Sequence, residues 1–122
     1  MIYMYNIGTD IIEINRLRSL IKKYKLKFIN RIFSDDEINY CMDKKDPSIH
    51  FAGKFAAKEA VKKAISNRYD NISFSFKEIS VCNKKNGRPF LIMNNFDSQL
   101  IDISISHTSN YAISFAILKT ND

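Results

Sequence analysis

The sequence predicts a small α+β fold with an N-terminal strand, helices and a mostly antiparallel C-terminal sheet, and three observations carry that expectation. An aromatic and β-branched run opens the chain at Ile2–Ile7, an apolar stripe at steps of three and four follows from Ile14, and strand-like texture takes over after Asn71. Helices grouped between strands, without regular alternation, favour α+β over α/β. At 122 residues, residues 1–122 form a single domain. Hydrophobic residues make up 45% and charged residues 26%, the proportions of an ordinary globular chain, which excludes disorder. No apolar run is long enough to span a bilayer, and the N-terminus carries no secretory pattern. The two cysteines, Cys41 and Cys82, are too few for a disulfide scaffold and read as free thiols in a reducing cytoplasm.

The elements follow in order. Ile2–Ile7 is the first strand, broken by Gly8-Thr9-Asp10, with Asp10 opening the next helix. Ile14, Leu17, Ile21, Tyr24 and Phe28 then form one apolar helix face. Arg16, Leu20, Lys23 and Lys27 share a different face, which is basic with one leucine. Ser34-Asp35-Asp36-Glu37 has the spacing of a capping box, so a helix starts there and runs to about Met42. Asp46-Pro47-Ser48 restarts the chain for a longer helix over about Ile49 to Ser66. Phe74–Cys82 and Phe90–Met93 are strands joined through the Asn86-Gly87 turn signal. Asp102–His107 alternates with period two, Tyr111–Leu118 is a second β-rich run, and His107–Asn110 connects them tightly.

Charge is unevenly distributed. The net charge is +6, yet Ile14–Ser34 alone holds seven Lys and Arg residues and no Asp or Glu. Such a patch raises the local concentration of an acidic partner, whether nucleic acid, anionic membrane or acidic protein.

Four groups of residues carry candidate chemistry. Asp10, with Glu13 three residues on, reads either as a helix N-cap with its capping-box partner or as a cation ligand. In the long helix Ala52, Gly53, Ala56, Ala57, Ala60 and Ala64 fall in one sector that allows close backbone approach. Opposite them Lys54, Lys58 and Lys62 stack at i, i+4 and i+8 among Phe51, Phe55 and Ile65. Like charges at that spacing repel. The lysines therefore either snorkel over apolar surface or form a phosphate-binding ridge. Glu59 is either paired with a lysine or, converging with Asp10, half of a two-carboxylate Mg²⁺ site left open for phosphate oxygens. Ser106, His107 and Thr108 at a strand end are either turn residues or donors to a phosphate or sugar hydroxyl. A Ser–His hydrolase is disfavoured, because no Gly-x-Ser-x-Gly elbow exists. His50 reads as a helix-start residue without a role.

Four ordered segments together resemble a known family. Gly8-Thr9-Asp10-Ile11-Ile12-Glu13-Ile14 with Arg16, Arg31-Ile32-Phe33-Ser34 with Glu37, Phe51-Ala52-Gly53-Lys54-Phe55-Ala56-Ala57-Lys58-Glu59-Ala60 and Ile103-Ser104-Ile105-Ser106-His107-Thr108 are similar to holo-[acyl-carrier-protein] synthases, the short 4′-phosphopantetheinyl transferases. The resemblance covers nearly the whole chain. It implies that fold, and Mg²⁺-dependent transfer of the phosphopantetheine arm of coenzyme A to a serine of apo-acyl carrier protein. Adenosine 3′,5′-bisphosphate is the other product, and fatty acid biosynthesis the setting. By the same resemblance Asp10 and Glu59 match the Mg²⁺ ligands, and Lys58 the residue that steadies or protonates the leaving phosphate. Lys54, Lys62, Ser106, His107 and Thr108 match contacts to coenzyme A, with His107 also a candidate for activating the hydroxyl. Arg16, Leu20, Lys23 and Lys27 match the docking surface for the acidic carrier. It further implies a cytoplasmic homotrimer with active sites between subunits, and partners that are neither nucleic acid nor membrane. The stretch Ser66–Asn71 departs from the family, which often has a glycine-rich loop there.

Two other functions compete. A nucleic-acid module would interleave aromatic residues with the basic ones, yet the segment offers only Tyr24 and Phe28, both on the apolar stripe. A non-catalytic carrier-binding subunit would keep the basic face and tolerate loss of Glu59.

Overall fold

The computed structural model describes residues 2–121, and the expected α+β architecture is what it shows. Strand β1 (Tyr3–Glu13) leads into helices α1 (Ile14–Tyr24), α2 (Leu26–Ile32), α3 (Asp35–Met42) and α4 (Pro47–Arg68), followed by strands β2 (Ile79–Asn83), β3 (Pro89–Met93), β4 (Ile101–His107) and β5 (Tyr111–Asn121). An antiparallel sheet in the order β1-β5-β4 carries α4 on one face, and β2 and β3 form a separate hairpin. Gly87 sits in the hairpin turn at φ 89°, a left-handed conformation that glycine adopts without strain.

The first strand departs from expectation. It does not stop at Gly8 but pairs with β5 without interruption from Tyr3 to Glu13, with Gly8 opposite Ala116 and Asp10 opposite Ser114. Gly8 is there for closeness, not for a turn. A Cβ built on it would lie 2.0 Å from the Ala60 carbonyl oxygen and 2.7 Å from the Ala64 nitrogen, both in α4. Asp10 is therefore a strand residue, and the N-cap of α1 is Glu13, which makes no side-chain capping bond.

The helix expected to carry Ile14 through Phe28 is two helices. Lys25 takes φ 51° between them, and its N–H closes the last turn of α1 on the Ile21 carbonyl at 2.7 Å. Ile14 and Leu17 are buried, whereas Tyr24 stands 48% exposed with Lys23 over its ring, so the stripe fades at the break. The capping box of α3 forms as the spacing requires: Glu37 N–H donates to Ser34 Oγ, and Ser34 N–H donates to Glu37 Oε1. Phe74–Glu78, expected within a strand, is irregular chain ending in a 3₁₀ turn.

Helix α4 is buried on nearly all sides, which organises the core around it. Its small-residue sector packs on the sheet. Its other faces meet two buried clusters, one with the hairpin and β5 (Val61, Ile65, Ile79, Val81, Leu118) and one with the first helices (Ile14, Leu17, Phe33, Phe51). Among the described residues the opposite face of the sheet carries no helix. There Ile7 and Ile11 on β1 are 53% and 62% exposed, and Ile113 and Phe115 on β5 are each 44% exposed.

Candidate functional site

Period two in β1 builds the site. Gly8 and Asp10 project from the same face of the strand, toward α4. The close packing at Gly8 therefore carries Asp10 against the next turn of the helix. The Asp10 and Glu59 side chains, far apart in sequence, line one cavity of about 230 Å³ together with Ile12, Arg16, Leu20 and Phe55. Asp10 Oδ1 accepts a hydrogen bond from the Lys63 ammonium at 3.1 Å, and that ammonium also donates to the Thr9 carbonyl at 2.9 Å. Among the described residues Glu59 has no ion-pair partner, so the expected alternative of a lysine salt bridge does not occur. Glu59 also borders a second cavity of about 270 Å³, with Lys62, Lys63, Ser66 and Phe74 on its walls. It stands between the two.

The lysine ridge does not exist. Lys58 is fully buried, its ammonium 2.7 Å from Glu37 Oε1 and donating to the Phe76 and Ile79 carbonyls. Glu37 is equally buried and accepts from the Val81 N–H at 2.8 Å. Burial pulls the Lys58 ammonium below its ordinary pKa, and the Glu37 carboxylate opposes that shift. With three partners inside the core, Lys58 has no donor to offer a phosphate in a cavity it does not line; the role drawn for it from the resemblance is corrected to a structural one. Lys54, 3% exposed, likewise donates inward, to the Val81 carbonyl and Asn83 Oδ1 at 2.6 Å each. Lys62 alone of the three reaches a cavity beside Glu59, with its ammonium 4.0 Å from the centre of the Phe76 ring. Spacing at i and i+4 does not reveal this burial, because the carbonyls that receive Lys54 and Lys58 arrive from β2 and the chain before it.

Lys63 is the residue that sequence reasoning missed. It lies one helical turn beyond Glu59, and nothing local distinguishes it from any exposed lysine. Only the position of β1 reveals it.

The Ser106, His107 and Thr108 group separates. Ser106 and His107 point to opposite faces of β4, as adjacent strand residues must. Ser106, paired with Ile113, is on the uncovered sheet face. His107 lines a different cavity, with Tyr40, His50 and Lys54. Thr108 Oγ1 accepts from the Asn110 and Tyr111 N–H groups, the turn role. None of the three lines either cavity that Glu59 borders. Of the basic face, Arg16 and Leu20 join Asp10 and Glu59 in one cavity, Lys23 is exposed on α1, and Lys27 belongs to α2 beyond the break.

Residues 6–116 match the family model of the 4′-phosphopantetheinyl transferase superfamily. The chain belongs to that superfamily. A holo-[acyl-carrier-protein] synthase of Protochlamydia amoebophila is 43% identical over 116 residues, spanning 91% of this chain and 94% of the relative. Among solved structures, a holo-(acyl-carrier-protein) synthase from Bacillus anthracis in complex with CoA (3′,5′-ADP) superposes with a TM-score of 0.79 at 33% identity, over 95% of this chain and 96% of that one. The Helicobacter pylori enzyme in complex with coenzyme A gives 0.76 at 31% identity, over 93% and 99%. Superfamily membership thus agrees with the fold. No helix among the described residues is long and apolar enough to cross a membrane.

Proposed function

We propose that the protein is a holo-[acyl-carrier-protein] synthase. The acceptor serine hydroxyl attacks the phosphorus that bears the pantetheine arm of coenzyme A. A bond forms between that phosphorus and the serine oxygen, the bridging bond of the diphosphate breaks, and adenosine 3′,5′-bisphosphate leaves. The convergence of Asp10 and Glu59 on one cavity with Arg16 and Leu20 carries this reading.

Two carboxylates with oxygens still free suit Mg²⁺, which is typically bound by one or two carboxylates plus substrate phosphates. Asp10 and Glu59 would hold it, and when bound it neutralises charge on the diphosphate oxygens. Lys63, anchored at Asp10, adds a positive charge where the leaving group becomes negative. Lys62 adds a second on the wall of the neighbouring cavity. Arg16 and Leu20 join the basic face to the site, so a carrier attracted through Lys23 and Lys27 arrives beside Glu59. Mass spectrometry of apo-carrier protein incubated with coenzyme A, Mg²⁺ and this chain tests the function. A metal-dependent gain of one phosphopantetheinyl group is expected, and Glu59→Gln abolishes the transfer while leaving carrier binding intact. An unchanged carrier mass with wild-type protein refutes the proposal.

The assembly that fits is a cytoplasmic homotrimer acting in fatty acid biosynthesis. The uncovered sheet face, with Ile7, Ile11, Ile113 and Phe115 exposed side by side, is an apolar surface of the kind that another copy covers. His107 lies away from the carboxylate pair, which fits an active site completed by residues of two subunits. Ile11→Lys should yield monomers in the ultracentrifuge that no longer bind coenzyme A; full activity from a verified monomer removes the shared site.

A further inference from the structure

Ser66–Asn71, the stretch that departs from the family pattern, begins as helix. Helix α4 continues to Arg68, and the Tyr69 N–H closes its last turn on the Ile65 carbonyl at 2.9 Å. That length carries Asn67 alongside β1, whose edge away from β5 has no strand partner among the described residues. Two side chains of α4 take the carbonyls on that edge. Asn67 Nδ2 donates to the Ile7 carbonyl at 2.9 Å. Lys63 Nζ donates to the Thr9 carbonyl at 2.9 Å and to Asp10 Oδ1 at 3.1 Å. The Asn67 carbonyl in turn accepts from Asn6 Nδ2 at 3.3 Å. The spacings match. Ile7 and Thr9 are two strand residues apart, about 6.7 Å, and Lys63 and Asn67 are one helical turn apart, about 6 Å. Gly8 sits between the two rungs, where strand and helix touch.

We propose that Asn67 is a positioning residue for the transfer reaction: its amide and the Lys63 ammonium clamp the free edge of β1, and this fixes the point along α4 at which Asp10 stands. The inference rests on the transferase reading, because Asp10 and Lys63 are the groups which that reading assigns to the metal and the leaving group.

Contact at Gly8 cannot do this alone. Steric repulsion limits how near the strand comes, but it resists neither a slide along the helix nor a parting from it. Hydrogen bonds fix direction as well as distance. Lys63 is the weaker rung, since an ammonium with three donors on a flexible stem, 52% exposed, can follow the Asp10 carboxylate if the strand moves. Asn67 has a short planar amide and is tied to β1 through both its side chain and its backbone, so it sets the reference. Asn6 reaches it at a cost, because its Oδ1 is buried without a hydrogen-bond partner. Both bonds of Asn67 are exposed and add little to stability, so their effect lies in placement.

The test uses the full-length protein, coenzyme A and apo-carrier protein, with Mn²⁺ as the metal probe. Asn67→Ala should melt within about 3 °C of wild type, because the helix propensity of alanine offsets the lost bonds. Its kcat, measured well below the midpoint, should fall about tenfold, less than a misplacement of about 1 Å would cost, with the KM for carrier protein unchanged. Mn²⁺ binding in the presence of coenzyme A, read by electron paramagnetic resonance with Glu59→Gln as the blank, should weaken about tenfold, the low end for a partner beyond the ligands. Asn67→Gln, which returns the donor on a longer arm, should recover most of both losses. Wild-type kcat and metal affinity in Asn67→Ala overturn the proposal, and so does a loss that Asn67→Gln leaves unrepaired. Wild-type protein that binds Mn²⁺ but transfers nothing refutes the transferase reading, and this inference falls with it.

Discussion

Gly8→Ala is the substitution that most directly tests how the site is assembled. The added methyl carbon meets three backbone atoms of α4, the Ala60 oxygen at 2.0 Å, the Ala64 nitrogen at 2.7 Å and the Ala60 carbon at 3.0 Å. No side chain can rotate aside, so strand and helix must part by about 1 Å to restore ordinary contact. Overpacking in a core costs about 1–3 kcal/mol, and a clash with backbone alone belongs at the upper end. For a domain of this size a loss of about 3 kcal/mol lowers the melting temperature by roughly 10 °C. Function should fall further than stability. Asp10 is two residues on, and a shift of about 1 Å in a positioned group can cost about a hundredfold in rate. Calorimetry supplies the first number. Carrier modification as a function of Mg²⁺, measured well below the midpoint of the variant, supplies the second, with a weaker apparent metal affinity expected. Melting within a degree or two of wild type, with unchanged metal dependence, would show that the β1–α4 contact does not hold the carboxylates together.

Three further outcomes follow from the same structure. Lys58→Met leaves Glu37 buried without its partner and should cost about 3–5 kcal/mol in urea unfolding, whereas Glu37→Gln with Lys58→Met should recover most of it. The double variant should also transfer within about tenfold of wild type; a loss of about a hundredfold or more with the fold intact would return Lys58 to the reacting phosphate. Lys63→Ala, at a side chain 52% exposed, should change the melting temperature little and lower kcat by about a hundredfold. Burial pushes the Cys41 thiol up to about 12, so it stays protonated and unreactive at pH 8. A thiol reagent should then modify only Cys82 in the native protein and both cysteines after denaturation, and rapid native modification of Cys41 contradicts that.

What the sequence disclosed was local. The Ser34–Glu37 capping box, the Asn86-Gly87 turn, the period-two face of β4 and the small-residue sector of α4 each depend on residues a few positions apart, and each stands where its spacing places it. The misreadings share a cause. Gly8 read as a strand breaker because glycine serves equally for a turn and for close approach, and only the backbone of α4 decides between them. Lys54 and Lys58 read as snorkelling stems or a phosphate-binding ridge because their acceptors come from α3, β2 and the chain before β2. Lys63 was invisible because its partner, Asp10, is 53 residues away. The break at Lys25 has no glycine or proline to announce it.

The buried ion pair also bears on why Glu59 is where it is. Neighbours on a helix are rotated by about 100°, so a Lys58 drawn inward turns Glu59 outward, toward the rim shared by the two cavities. A buried pair adds little stability over a well-packed apolar one, but three fixed acceptors set the rotation of α4 about its axis. That rotation matters for the proposed reaction. Attacking and leaving oxygens at a phosphorus lie roughly in line, so nucleophile and leaving group need space on opposite sides of the reacting atom. One cavity at Glu59 opens beside Arg16 and Leu20, where a docked carrier would present its serine, and the other beside Lys62 and Lys63, where positive charge awaits a departing phosphate. On this reading Lys58 contributes to transfer through the angle at which it holds the helix, and Glu59 stands on the walls of both cavities, where it faces both reactants.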